Sequence, residues 1–255
     1  TDSRSARATA KGYATKSAND IFEQNKERKI HESMDPKKAK LRESMDSEIH
    51  PLSVPIILAL DVTGSMLDVP VHLIREGLPK MMSNIIERGI KDPQVLFLAI
   101  GDAETDYFPL QVGQFESGDE ELDLWLTRTY LEGHGGGNGG ESYSLAWYFA
   151  AFHTVTDAWN KRKQKGFLFT VGDEPCLRNL SVRQIKEVLE ETPETSFSEK
   201  ELLKRAQERY NVYHLHVLEG VQGHNSLNYW KELLGDHCIA VADHREISNV
   251  IAKIV

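Results

Sequence analysis

The sequence predicts a doubly wound α/β domain: a six-stranded, mainly parallel sheet with one antiparallel edge strand and helices on both faces. Three observations predict it. From Leu52 onward, short apolar runs alternate with amphipathic stretches, the pattern of strands joined by helical crossovers. The runs are almost wholly hydrophobic, as strands covered on both faces must be. Carboxylate- and hydroxyl-bearing residues stand directly behind several of them, where a Rossmann-like sheet opens its ligand crevice.

Each element follows from its own pattern. Residues 1–50 are polar, with Ile21, Phe22, Ile30, Met34, Leu41 and Met45 scattered too thinly for a core-facing stripe. They read as a partly helical, solvated N-terminal arm, with a partner-docking segment as the alternative. Asp35-Pro36 breaks any helix there, because the residue before proline is pushed out of the helical region. Residues 51–255 form the domain. VPIILAL (54–60) is a buried strand, and Val71, Ile74, Leu78, Met81 and Ile85 recur at helical spacing until Gly89 and Pro93. QVLFLAIG (94–101) is the next strand. The turn DAETDYF leading to PLQVGQF (109–115) is too short for a crossover helix, so these two strands pair antiparallel at the edge.

A short helix is expected around Leu122, Trp125, Leu126 and Thr129. After a glycine-rich loop, Leu145, Phe149, Phe152, Val155 and Trp159 line one face of a longer helix. GFLFTVG (166–172) and VYHLHVLEG (212–220) are central strands. Ser181 caps a helix over 182–190, and Ser198 with Glu201 forms a capping box for 199–209. Asn225 to Leu234 is a helix, CIAVA (238–242) the last strand, and Glu246 to Ile254 a closing helix.

Charge narrows the partners. Net charge is −9. Residues 1–50 carry 11 Lys/Arg against 9 Asp/Glu, and residues 51–255 carry 19 against 30, a net −11. An acidic domain disfavours nucleic acid and anionic membranes, whose binding draws on clustered Lys and Arg. No apolar run approaches the roughly 18–20 residues of a membrane span, and the first residues lack the apolar core of a signal peptide. The expected location is cytoplasmic. Cys176 and Cys238 lie in or beside apolar stretches and read as buried thiols.

Three places behind strands carry chemistry. Asp61-Val62-Thr63-Gly64-Ser65 sets a carboxylate and two hydroxyls at alternate positions, with Gly64 allowing a tight turn. Gly133 to Gly140 is a glycine-rich loop, with His134 inside it, that delivers Glu141 to the start of a helix. Asp173 ends the strand GFLFTVG. All donors are oxygen, which selects hard cations, Mg²⁺ above all, with Mn²⁺ or Ca²⁺ as alternatives.

D-x-T-x-S after the first core strand, a glycine-rich loop before a helix and a strand-end Asp, in this order, resemble the von Willebrand factor A family and its metal-ion-dependent adhesion site. The likeness covers roughly residues 52–255 and is to prokaryotic-type, intracellular members. It implies Asp61, Thr63, Ser65, a residue within 138–142 and Asp173 around one divalent cation. The family's usual second-loop Thr is missing. The G-G-x-x-x-E run resembles the integrin β-subunit version, where a Glu takes that role, which implies Glu141. Those subunits use an Asp three residues earlier for a neighbouring metal, and Asn138 stands there, so one metal is expected.

The resemblance implies a divalent-cation-dependent protein-binding module and not an enzyme, its open metal position completed by an acidic residue of a protein partner. The competing reading is a metal-dependent hydrolase or phosphoryl-transfer enzyme with Asp61 as nucleophile and Asp173 as ligand. Thr63 stands against it, because a phosphatase of the haloacid dehalogenase type has a second Asp there. Other signals are weaker. Gly135, Gly137 and Gly140 match a dinucleotide fingerprint but follow a helical pattern instead of a strand. No G-K-[ST] follows the glycines. His214 and His216 alternate on a strand and read as a packed, hydrogen-bonded pair, while Asp102 and Asp106, at the hairpin tip on the site's side, read as solvated surface acids, with acids on the rim of the site as the alternative.

Overall fold

The computed structural model describes residues 9–133 and 137–255. Its central sheet has strands β1 (Val54–Asp61), β2 (Pro93–Ile100), β3 (Leu110–Val112), β4 (Gly166–Gly172), β5 (Tyr210–Val217) and β6 (Cys238–Val241). Their spatial order is β6-β5-β4-β1-β2-β3. Only β3 runs antiparallel, pairing Leu98 with Val112 and Ile100 with Leu110. The doubly wound sheet with its antiparallel edge strand is therefore present as expected. The chain winds outward from β1 to β3, then crosses back to β4 and winds the other way. That reversal places a crevice at the carboxyl ends of β1 and β4.

Strand alternation builds the two layers of core. Ile56, Leu58 and Leu60 of β1 point into one buried cluster with Val69, Ile74 and Met81. Ile57 and Ala59 point into the other, with Leu145, Phe149, Leu202 and Trp230. The first layer is α1, which runs through Asp68–His72, a π-type stretch Leu73–Gly77 and Leu78–Glu87, together with α2 (Asp119–Thr127) and the last helix (Ile247–Ile254). The opposite layer holds α3 (Ser144–Phe152), then α4 (Asp157–Arg162) near the end of the sheet, α5 (Val182–Leu189), α6 (Glu199–Gln207) and α7 (Gly223–Leu234), with the closing helix numbered α8. Ser181 with Gln184 and Ser198 with Glu201 close complete capping boxes on α5 and α6, each satisfying two N-terminal amides.

Two expectations need correction. The helix expected to run from Leu145 to Trp159 stops at Phe152; Thr154–Thr156 is a strand paired in parallel with Arg42–Ser44. The β-branched run Thr154-Val155-Thr156 favours extended backbone, and the partner strand comes from a segment distant in sequence. Thr156 then caps α4 through the amide of Trp159. The second correction concerns the solvated arm. Phe22 and Met34 are fully buried, Ile21 nearly so, and Tyr13, Ile21 and Phe22 belong to the first core cluster. Arg75 of α1 holds the segment by donating to the carbonyls of Tyr13 and Lys16 at 3.0 and 2.7 Å. Four or five apolar residues suffice to seat a strap across a core, even where they form no stripe.

Both cysteines are free and buried, as expected. Among the described residues, no helix is long and apolar enough to cross a membrane. His134 and the glycines at 135 and 136 lie outside the described residues.

Candidate metal centre

Asp61 is the last residue of β1 and is 1% exposed. Its Oδ1 accepts the Thr63 amide at 2.9 Å and the Thr63 hydroxyl at 2.6 Å. Its Oδ2 accepts the Tyr143 hydroxyl at 2.7 Å. The turn that follows, Gly64–Met66, swings Ser65 across to β4, where its hydroxyl donates to Asp173 Oδ1 at 2.9 Å. Asp173, one residue beyond β4, is fully buried, and its Oδ2 accepts the Gln222 amide at 3.1 Å. Strands β1 and β4 are neighbours, with Leu60 opposite Val171. The two strand-end aspartates are side by side for that reason.

Glu141 arrives from the third side. Its backbone is pinned to the loop after β4: its amide donates to the Pro175 carbonyl, and its own carbonyl accepts the Leu177 amide, both at 2.9 Å. The side chain is 3% exposed and Oε2 has no hydrogen-bond partner. Glu141 precedes α3 by three residues, so it is held by this bridge and not by the first turn of the helix. All five sequence-selected residues thus lie around the switch point between β1 and β4.

Their arrangement has an order. A cleft of about 670 Å³ is lined by Thr63, Ser65 and Glu141, whereas Asp61 and Asp173 lie behind it. Each hydroxyl donates its only proton to an aspartate, which leaves its oxygen lone pairs available to a cation. Among the described residues, the carboxylates of Asp61, Glu141 and Asp173 do not form a group within 4.8 Å of one another; Glu219, Asp243 and His244 do. That trio is already paired. His244 meets Glu219 at 2.9 Å, and Arg245 grips Asp243 from two nitrogens.

Electrostatics favour a cation at the cleft floor. Burial pushes the Asp61 carboxyl above the ordinary carboxylate range, and Asp173 adds to it, against hydrogen bonds from Thr63 and Tyr143. Burial pushes Glu141 up further, helped by Asp61, Asp106, Asp102 and Glu174. Removing carboxylates from water without a counter-ion is costly. The fit is good: an oxygen-only donor set, two hydroxyls with lone pairs available and one buried carboxylate oxygen without a partner suit a hard divalent ion.

Several neighbours escape sequence reasoning. Tyr143 is fully buried with its hydroxyl on Asp61, and no spacing rule distinguishes it from a core aromatic. Two glycines mark close approaches. A Cβ on Gly172 would lie 1.8 Å from the Tyr143 hydroxyl oxygen, and one on Gly220 would lie 2.2 Å from Asp173 Oδ2. A glycine inside a strand, as at Gly172, is the signal that points to such crowding. Asp102 is not a solvated surface acid. It is fully buried and accepts from Asn138 Nδ2 and the Thr105 hydroxyl, each at 2.7 Å. Asn138 therefore serves as a donor to a buried acid. His214 and His216 are packed as expected: His214 stacks on Trp230 at 3.5 Å between ring centroids, and the two imidazoles meet at 3.2 Å.

No family model matches the chain, and no curated protein matches it in sequence. Solved structures do resemble it in shape. The pilus adhesin SpaC from Lactobacillus rhamnosus GG, in its open conformation, aligns with a TM-score of 0.53 at 10% identity over 82% of this chain and 30% of that one. A second form of SpaC gives 0.51 over 82% and 31%. Proximal thread matrix protein 1 from the mussel byssus gives 0.50 at 8% identity over 80% of this chain and 47% of that one. The fold is von Willebrand factor A-like. This chain spans under a third of SpaC's length and under half of the mussel protein's. In this von Willebrand factor A-like fold, Asp61 ends β1, and the other four selected residues lie on the segments after β1, before α3 and after β4.

Proposed function

We propose that this domain is a divalent-cation-dependent protein-binding module, in which Thr63, Ser65 and Glu141 hold the ion and Asp61 and Asp173 act from behind. The observation that carries it is the pairing of each cleft-facing hydroxyl with a buried aspartate, beside the unpartnered Oε2 of Glu141. A hydroxyl whose proton is already committed presents a lone pair, so the oxygens are oriented for an ion before it arrives. Mg²⁺ suits the set best, with Mn²⁺ and Ca²⁺ as alternatives. The ion keeps a position open to the cleft, and an acidic side chain of a protein partner completes it.

Binding is favoured over turnover by Thr63, which stands where a phosphatase of the haloacid dehalogenase type has its second Asp. The solved structures of similar fold include a pilus adhesin, which accords with a surface made to be gripped. Calorimetric titration with Mg²⁺ and Mn²⁺ tests the reading. The parent should bind, Asp61→Ala should lose about 10- to 100-fold in affinity, and Glu141→Gln should melt higher than the parent without cation yet respond less to it. Binding unchanged in Asp61→Ala, or no binding to the parent at millimolar cation, overturns the proposal.

A further inference from the structure

The cleft that holds the candidate ion site also contains a second attraction for an acid. Arg178, on the loop after β4, is the only Lys or Arg among its described lining residues, and its side chain is 72% exposed. Its guanidinium is held in place. Nη1 donates to Glu199 Oε1 at 3.3 Å, and the plane lies over the Tyr229 ring at 5.6 Å from the centroid. Tyr229 in turn donates to the other Glu199 oxygen, and the Glu199 amide donates to the Arg178 carbonyl at 2.8 Å. Glu199 is almost fully buried, so it is a fixed anchor.

A guanidinium has five donors in a rigid fork. With Nη1 directed at Glu199 and most of the side chain in solvent, the remaining donors are accessible to a carboxylate. The rest of the cleft is unwelcoming to acids, since Glu141 and Glu174 both line it. An acidic ligand therefore finds two favourable points there, the ion and Arg178, in a cleft whose lining also includes the small residues Gly137, Gly139 and Gly140 and the exposed Val221.

We infer that Arg178 is a specificity-determining residue, and that the partner presents a pair of carboxylates along one acidic segment, one for the cation and one for the Arg178 fork. This rests on the cation-binding reading above. A single acid would use half of what the cleft offers. Two acids joined by short uncharged residues would use both points and gain from their linkage.

The test uses labelled synthetic peptides of Gly and Ser carrying either one Asp or two Asp at increasing spacing, measured by fluorescence anisotropy with saturating Mg²⁺. The parent should bind the best-spaced two-Asp peptide about tenfold tighter than the one-Asp peptide. In Arg178→Gln that preference should vanish, while affinity for the one-Asp peptide and for Mg²⁺ alone stays at the parent level. Arg178→Lys keeps the pair with Glu199 and guards against a folding defect; it should keep only part of the preference, because an ammonium cannot grip bidentately. A two-Asp preference that survives in Arg178→Gln, or none in the parent at any spacing, overturns the inference while leaving the cation reading intact. Peptide binding that persists in chelator overturns both, and its absence from a parent shown to bind Mg²⁺ overturns the inference.

Discussion

Glu132 lies just beyond α2, and its Oε1 accepts the Phe108 amide at 2.6 Å while Oε2 is buried without a partner. Burial, seconded by Asp106, raises its carboxyl to about 7 from an ordinary 4.5. The folded state thus holds this proton more tightly than the unfolded chain. Stability contributed by the protonated form is complete below about 4.5 and is lost as pH rises through about 7. Glu132→Gln should therefore match the parent near pH 4 and exceed it by roughly 1–2 kcal/mol at pH 8. Urea unfolding at the two pH values reads this directly. An equal effect at both would mean that Glu132 titrates in the native protein as it does in the unfolded chain. At this scale the sequence was informative where chemistry is local. Asp61 and Thr63 are two residues apart at a strand end, so their pairing follows from local backbone geometry. Tyr143 and Asp102 gain their roles from residues 82 and 36 positions away, and nothing in their own neighbourhoods announces that.

The elements show the same division between local and distant causes. The six sheet strands were legible because each falls in a short, mainly apolar run bounded by turn or cap residues. The break between α3 and α4 was not, since helical spacing continues through Val155 and Trp159, and only pairing with Arg42–Ser44 makes a strand of Thr154–Thr156. The same blindness affected the segment before β1. Phe22 is fully buried in the layer that contains α1 and α2, although its sequence surroundings are polar. Phe22→Ala should cost about 3–5 kcal/mol, the usual range for emptying a buried phenyl site. A solvated strap would show a change within about 0.5 kcal/mol. Chemical denaturation separates these outcomes, and a large loss would make residues 9–50 part of the cooperative fold instead of a removable arm.

At the scale of the whole molecule, the proposed partner and the protein carry the same sign. The chain has a net charge of −9, and the site is meant to receive an acidic segment. Attraction is confined to the ion and Arg178, both within the cleft, while repulsion comes from the entire surface. These ranges respond differently to salt. Exposed charges further apart than about 8–10 Å are screened at physiological ionic strength, whereas a carboxylate touching a metal or a guanidinium fork is screened far less. Added salt should therefore relieve the repulsion first. Raising NaCl from low to physiological concentration at constant Mg²⁺ should speed association of a two-Asp peptide by about two- to fivefold, with little change in its dissociation rate. This is the reverse of the steering expected between opposite charges, where salt slows encounter. Stopped-flow anisotropy across a salt series distinguishes the two. Slower association with added salt would mean that the field of the cation and Arg178 reaches beyond the cleft and outweighs the acidic surface, and the partner would then be drawn in from a distance instead of being captured only on contact.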